Sequence, residues 1–190
     1  MTCIVGIVQK GIVYMGGDSL ASEPESMDKL PMKNRKVFHN GPFLIGACGS
    51  LRMAQILQHG LKPPPKPKLM EDMKFMATRF IDEVRAAFLN NGYGKIREGG
   101  DNEGGNFLVG FGGKLYEVHN DFQVGEWSWG YASIGSGRSY AYGSLFMSEN
   151  EAPELRITSA LEAAAHFNAG VAPPFYVLKQ PASTAKKVGR

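Results

Sequence analysis

The sequence predicts an α+β protein built as a four-layer αββα sandwich. Strand-like and helix-like segments come in blocks (strands, two helices, strands, two helices, a strand), so the alternation that makes a parallel βαβ sheet is missing. The first two strand segments, 2–8 and 11–15, are apolar and β-branched throughout, as strands covered on both faces are. Glycine accounts for 24 of the 190 residues, well above the ~7% average, which suits tight turns and close backbone approaches.

Each element has its own signal. A turn with Gly11 joins the first two strands, and Gly16-Gly17-Asp18-Ser19 ends the second in a close approach. Residues 21–31 read as polar and irregular. Segments 35–38 and 43–48 form a second hairpin around His39-Asn40-Gly41-Pro42. Residues 50–61 carry Leu51, Ala54, Ile56 and Leu57 near one helix face, and the prolines of 63–67 follow as a stiff connector. The helix over 70–89 is stronger: Met73, Met76, Phe80, Val84 and Phe88 recur at helical spacing, a stripe expected to pack as core. Residues 92–106 read as a flexible glycine-rich loop. Strands follow at 107–111, 114–118 and 130–134, then helices over 138–147 and from Pro153 to His166, then a strand over 171–178. Residues 1–180 make one domain, and the basic stretch 181–190 reads as a disordered tail.

Composition excludes several functions. Net charge is +3, too small to argue for nucleic acid, and aromatics do not interleave with basic residues. No apolar run approaches the ~18 residues of a membrane span, and no signal-peptide pattern opens the chain. Two cysteines, Cys3 and Cys48, make no disulfide framework, so a reducing compartment is expected. The expectation is a soluble cytoplasmic protein with neither a membrane nor a nucleic-acid partner. There is no phosphate loop, no complete dinucleotide fingerprint, no HExxH and no GxSxG, and the four histidines are scattered. No cofactor and no metal are expected.

Chemistry gathers at the start of the chain. Thr2 follows Met1 and is small enough for Met1 removal to be expected. Thr2 would then carry a free α-amine, whose ordinary pKa is ~7.7–8.0, and a hydroxyl on one residue. An N-terminal threonine whose own amine serves as general base is a known nucleophile design.

The residues around Thr2 sharpen this. Thr2-Cys3-Ile4-Val5-Gly6-Ile7, the strand ending at Asp18, Lys36-Val37-Phe38, Ile45-Gly46-Ala47-Cys48-Gly49-Ser50, and Gly135-Ser136-Gly137 with the helix behind it occur in this order. Together they resemble the proteasome β-subunit and HslV superfamily of N-terminal-nucleophile hydrolases over about residues 2–178, with the start looking like its small bacterial or phage-type members. The resemblance implies a threonine peptidase or amide hydrolase working through an acyl ester on Thr2. It also implies roles. Lys36 favours the developing alkoxide, with Lys33 a neighbouring competitor, and Asp18 keeps Lys36 charged. The Gly46 amide meets the oxyanion. Ser136 bonds the Thr2 amine and could also cap a helix. Asn168 stands where the family has an Asp, and Val171 where it has a Ser. Ala21, Leu44 and Cys48 match substrate-lining positions, which implies an apolar preference. Implied partners are a peptide or protein substrate, further copies of the chain in a homo-oligomeric ring, and an ATP-dependent unfoldase. Two other outcomes stay open: a catalytically silent ring or structural protein, and a non-peptide amidase on the same scaffold.

Overall fold

The computed structural model describes residues 1–22, 29–93, 95–96 and 102–180. In chain order, β1 (Cys3–Gln9) and β2 (Ile12–Gly17) form a hairpin, and the short β3 (Leu20–Ser22) pairs with β4 (Lys29–Pro31). Next come the hairpin β5 (Val37–Asn40) and β6 (Phe43–Ala47) and the helix α1 (Leu51–Gln55), which runs on as a π-helical turn over Ile56–Gly60. A long helix follows as α2 (Asp72–Phe75), a π turn (Met76–Phe80) and α3 (Ile81–Asn90). The second half holds the small pair β7 (Lys95–Ile96) and β8 (Asn102–Glu103), then β9 (Phe107–Phe111), β10 (Lys114–Val118), β11 (Val124–Gly125) and β12 (Tyr131–Gly135). It ends with α4 (Arg138–Met147), α5 (Pro153–Phe167) and β13 (Tyr176–Gln180).

Two antiparallel sheets result, one ordered β12-β1-β2-β13 and the other β11-β10-β9-β6-β5. Three apolar layers glue four structural ones. Ile4, Val13, Met15, Leu44 and Leu108 fill the space between the sheets. Phe43, Ile45, Phe75, Phe80 and Phe88 join the five-stranded sheet to α1–α3. Val5, Ile7, Ile157 and Leu161 join the four-stranded sheet to α4 and α5. This is the αββα sandwich. It explains why β1 and β2 lack polar alternation: Ile4 faces the second sheet while Cys3 and Val5 face the helices, so both faces are buried.

The helical stripe Met76, Phe80, Val84 and Phe88 is core, with Met73 packed against it. Pro153 sits in the first turn of α5, as its missing N–H allows. Three segments differ from expectation. The last strand begins at Tyr176 instead of 171, because Pro173 and Pro174 have no amide to give a ladder. Residues 20–22 and 29–31 pair as strands where an irregular stretch was expected, and the short β7, β8 and β11 carry too few residues for a readable period. The tail 181–190 and parts of 21–31 and 92–106 lie outside the described residues.

Candidate active site

Register assembles the site. β1 and β2 pair with Ile4 opposite Gly17, which puts Asp18 beside Cys3. β1 and β12 pair with Cys3 opposite Gly135, which brings Ser136 beside Thr2. Gly135 has φ +96°, and a Cβ there would collide with the Thr2 carbonyl, so only glycine lets the turn close over Thr2. Lys36 enters from the other sheet, one residue before β5. Thr2, Asp18 and Lys36 are all buried, at 5%, 1% and 4% exposure.

The polar contacts on this side are dense. Lys36 Nζ donates to Thr2 Oγ1 at 2.9 Å, to Asp18 Oδ1 and Oδ2 at 2.9 Å each, and to the Leu20 carbonyl at 2.8 Å. Asp18 also accepts from the Cys3 amide (2.9 Å) and the Leu20 amide (3.1 Å). Asp18 is therefore no ordinary turn aspartate, and Lys36, not Lys33, is the lysine that reaches Thr2 Oγ1. Burial pushes the Lys36 ammonium below its usual pKa, and the Asp18 carboxylate pulls back against that shift.

The other side of Thr2 is neutral and more open. The Thr2 amide donates to Ser136 Oγ at 3.3 Å, and the Gly137 amide donates to the Thr2 carbonyl at 3.3 Å. Ser136 Oγ lies 3.4 Å from Asn168 Oδ1. Asn168 Nδ2 donates to the Ser136 carbonyl (2.9 Å), and its Oδ1 accepts from the Gly170 amide (2.9 Å). A carbonyl on one side and an amide on the other fix the Asn168 orientation, and an Asp could not make the first of these bonds. Ser136 does not cap α4; Gly137 stands at that position, with no side-chain cap. Val171 is buried against α5, at 2% exposure.

Met1 closes the site. Its carbonyl accepts from Thr2 Oγ1 and from Lys36 Nζ (3.3 Å), and its side chain lies against Gly170. While Met1 is attached, the Thr2 nitrogen is an amide with no basic lone pair, and the hydroxyl proton is held by the Met1 carbonyl.

The proposed roles of Gly46, Leu44 and Cys48 meet a different geometry. The Cys48 amide donates to the Asn106 carbonyl (3.3 Å) and the Ala47 amide to the Lys36 carbonyl (3.0 Å). Antiparallel alternation then turns the Gly46 amide toward Leu108, its partner on β9, and away from any oxyanion. A Cβ on Gly46 would stand 2.6 Å from Ile4 Cγ2 and Met15 Sδ, so this glycine serves the contact between sheets. Leu44 has the same inward direction and is fully buried there, and Cys48 packs against that same layer. None of the three lines the cavity of about 960 Å³ that opens on Thr2; Ala21 does.

Gly49, within the motif from Ile45 to Ser50, received no role from the sequence. It lines that cavity, has φ +91°, and has open space where a Cβ would be. Among the described residues no carbonyl accepts from its amide. Its signal was the Gly-Ser step before α1, where Ser50 Oγ caps the helix by accepting from the Met53 amide.

Burial raises the Cys3 thiol to about 12 and the Cys48 thiol to about 11, so neither is a thiolate near neutrality. Among the described residues no cluster of His, Cys, Asp or Glu could hold a metal ion, and no helix is long and apolar enough to cross a membrane.

No protein-family model matches the chain, and no curated protein matches it in sequence. Solved structures do match. BPH from Thiobacillus denitrificans superposes with a TM-score of 0.77 at 18% identity, over 96% of this chain and 100% of that one. The same protein was also solved in complex with epoxomicin. HslV from Trypanosoma brucei gives 0.64 at 15% identity, over 94% of this chain and 98% of its own. Anbu, an ancestral beta-subunit from Yersinia bercovieri, gives 0.63 at 15%, over 95% and 82%. Register, layers and neighbours agree: this chain has the fold of the HslV-like, proteasome-type N-terminal-nucleophile hydrolases.

Proposed function

We propose that this protein is a threonine-type N-terminal-nucleophile hydrolase that cleaves peptide bonds once Met1 is removed. The observation that carries the reading is the 2.9 Å contact of Thr2 Oγ1 with a buried lysine that is itself held by both oxygens of Asp18. Removal of Met1 turns the Thr2 nitrogen into an amine and frees Oγ1 from the Met1 carbonyl. Oγ1 then attacks the substrate carbonyl carbon while its proton passes to the amine, directly or through a water. The charged Lys36 lowers the energy of the forming alkoxide. The amine returns the proton to the leaving nitrogen as the C–N bond breaks, leaving an ester on Thr2. Water, deprotonated by the same amine, hydrolyses the ester and restores Thr2. Ser136 holds the amine, and Asn168 holds Ser136. For the oxyanion donor we favour the Gly49 amide over Gly46, since the Gly46 amide is turned into the ladder. Such a donor typically contributes ~2.7–4 kcal/mol to the barrier.

Intact mass spectrometry before and after epoxomicin, the compound solved with BPH, tests this reading. The expected result is a chain lacking Met1 that gains one adduct, with no adduct on Thr2→Ala. A retained Met1, or an adduct that survives Thr2→Ala, overturns it. An adduct on Thr2 without turnover of any peptide points to a non-peptide amidase. A catalytically silent relative is the reading favoured by Asn168 and the buried Val171; it predicts no adduct on a chain that has lost Met1.

The same reading extends to assembly in a homo-oligomeric ring that sequesters Thr2 in the cytoplasm and is fed by an ATP-dependent unfoldase. Phe146 and Met147 on α4 and Leu155 and Phe167 on α5 are exposed apolar side chains on the outer helical layer, which suits contact with other copies. Light scattering at the mass of one chain ends this extension.

A further inference from the structure

Among the described residues, the lining of the cavity that opens on Thr2 has an unbalanced charge. Lys33, Arg35, Lys36 and Arg52 line it, with His39 and His59, and no Asp or Glu is among the described residues of its lining. Lys36 is neutralised by Asp18. Lys33, Arg35 and Arg52 remain as exposed cations around the mouth. Arg35 is held by its stacking on Tyr176, 4.5 Å from the ring centre, and Arg52 by a bond from Nη2 to the Asn91 carbonyl (3.4 Å). The whole chain carries only +3, so the described part of this lining gathers cations that composition hides. A concave site with low-dielectric walls focuses such a field on whatever enters it. At physiological salt the screening length is about 8 Å, so the preference acts on groups bound in the cavity and fades as salt rises.

We propose that the Thr2 cavity selects peptides carrying an acidic side chain, Asp or Glu, close to the scissile bond, over neutral and basic ones. This replaces the apolar preference implied by Leu44 and Cys48, which do not line the cavity. It rests on the reading of Thr2 as nucleophile, and the test separates the two.

Matched fluorescent peptides with Glu, Gln or Lys at one varied position serve as probes. Binding is measured by anisotropy on full-length Thr2→Ala, and turnover as kcat/KM on the wild type. Glu is expected to bind about tenfold tighter than Gln, with Lys weakest and the spread narrowing at high salt. Arg52→Glu and Lys33→Glu, both at exposed positions that tolerate the change, should each cut the Glu-over-Gln ratio about threefold, and together abolish it. Equal binding of Glu and Gln peptides, or a preference untouched by both reversals, overturns the proposal. Turnover without a Glu preference also overturns it and leaves the Thr2 reading standing. A Glu preference in binding that both reversals remove, with no wild-type turnover of any of the peptides, supports the charge selection of the cavity and overturns peptide hydrolysis at Thr2.

Discussion

The two flanks of Thr2 are built differently. On one flank Lys36 and Asp18 are buried, charged and held to each other, to Thr2 Oγ1, to Leu20 and to the Cys3 amide by bonds of 2.8–3.1 Å, beside a 3.3 Å bond from Lys36 to the Met1 carbonyl. On the other, Ser136 is exposed, Asn168 is half-buried, and the contacts that reach Thr2 are 3.3–3.4 Å long. A charge in a dry site acts strongly on a developing alkoxide, whereas neutral hydrogen bonds mainly orient. In the proposed mechanism this difference gives electrostatic work to the first flank and positioning of the amine to the second.

Thr2→Ala should have the largest effect, removing all acylation and all turnover. Lys36→Ala comes next. It should reduce acylation by about a thousandfold and also lower stability by about 3–5 kcal/mol, because it leaves the Asp18 charge buried without its partner. Chemical denaturation checks the second part, and Asp18→Asn combined with Lys36→Met should recover most of the stability with none of the activity. Equal stability of Lys36→Ala and wild type would dissolve the contrast between the flanks. Ser136→Ala and Asn168→Ala should cost only about tenfold in kcat, with stability nearly unchanged. Asn168→Asp should not raise turnover, since it loses the bond to the Ser136 carbonyl.

A pH profile sharpens the same contrast. Acylation should rise as the Thr2 amine loses its proton, at ~7.7–8.0 if unperturbed. It should fall again as Lys36 is deprotonated, below the ordinary lysine value of 10.5 because burial lowers it. The same depression makes the unfolded chain bind more protons between the two Lys36 values. Stability contributed by this group therefore increases with pH across that window. An alkaline limb that survives Lys36→Met would assign it to another group. The smallest effect on the site itself is expected from Gly46→Ala, which should destabilise by about 1–3 kcal/mol through the 2.6 Å contacts with Ile4 and Met15 while leaving the Thr2 flanks in place.

The layers were legible in the sequence because burial writes itself into periodicity. The unbroken apolar run of β1 and the Met/Phe stripe of the long helix each state how many faces are covered. Thr2, Asp18, Lys36, Ser136 and Asn168 were marked in the sequence as candidates by the family resemblance. The contacts among them were not, since they depend on register: Gly135 opposite Cys3 and Gly17 opposite Ile4. Around Gly46 the sequence pointed the wrong way. A glycine in a strand looks the same whether its amide is free or bonded, and only the pairing of β6 with β9 shows that it faces Leu108. Charge behaved likewise: Lys33, Arg35 and Arg52 are three among 21 basic residues, and their convergence on one cavity free of described carboxylates exists only in the folded chain. Sequence by itself determined the layer order, because period states how many faces of each element are covered, and it marked Thr2 as the candidate nucleophile only through the family resemblance. Tertiary structure decided which backbone amides face a ladder and which described side chains line the cavity, because those follow from pairings between segments far apart in the chain.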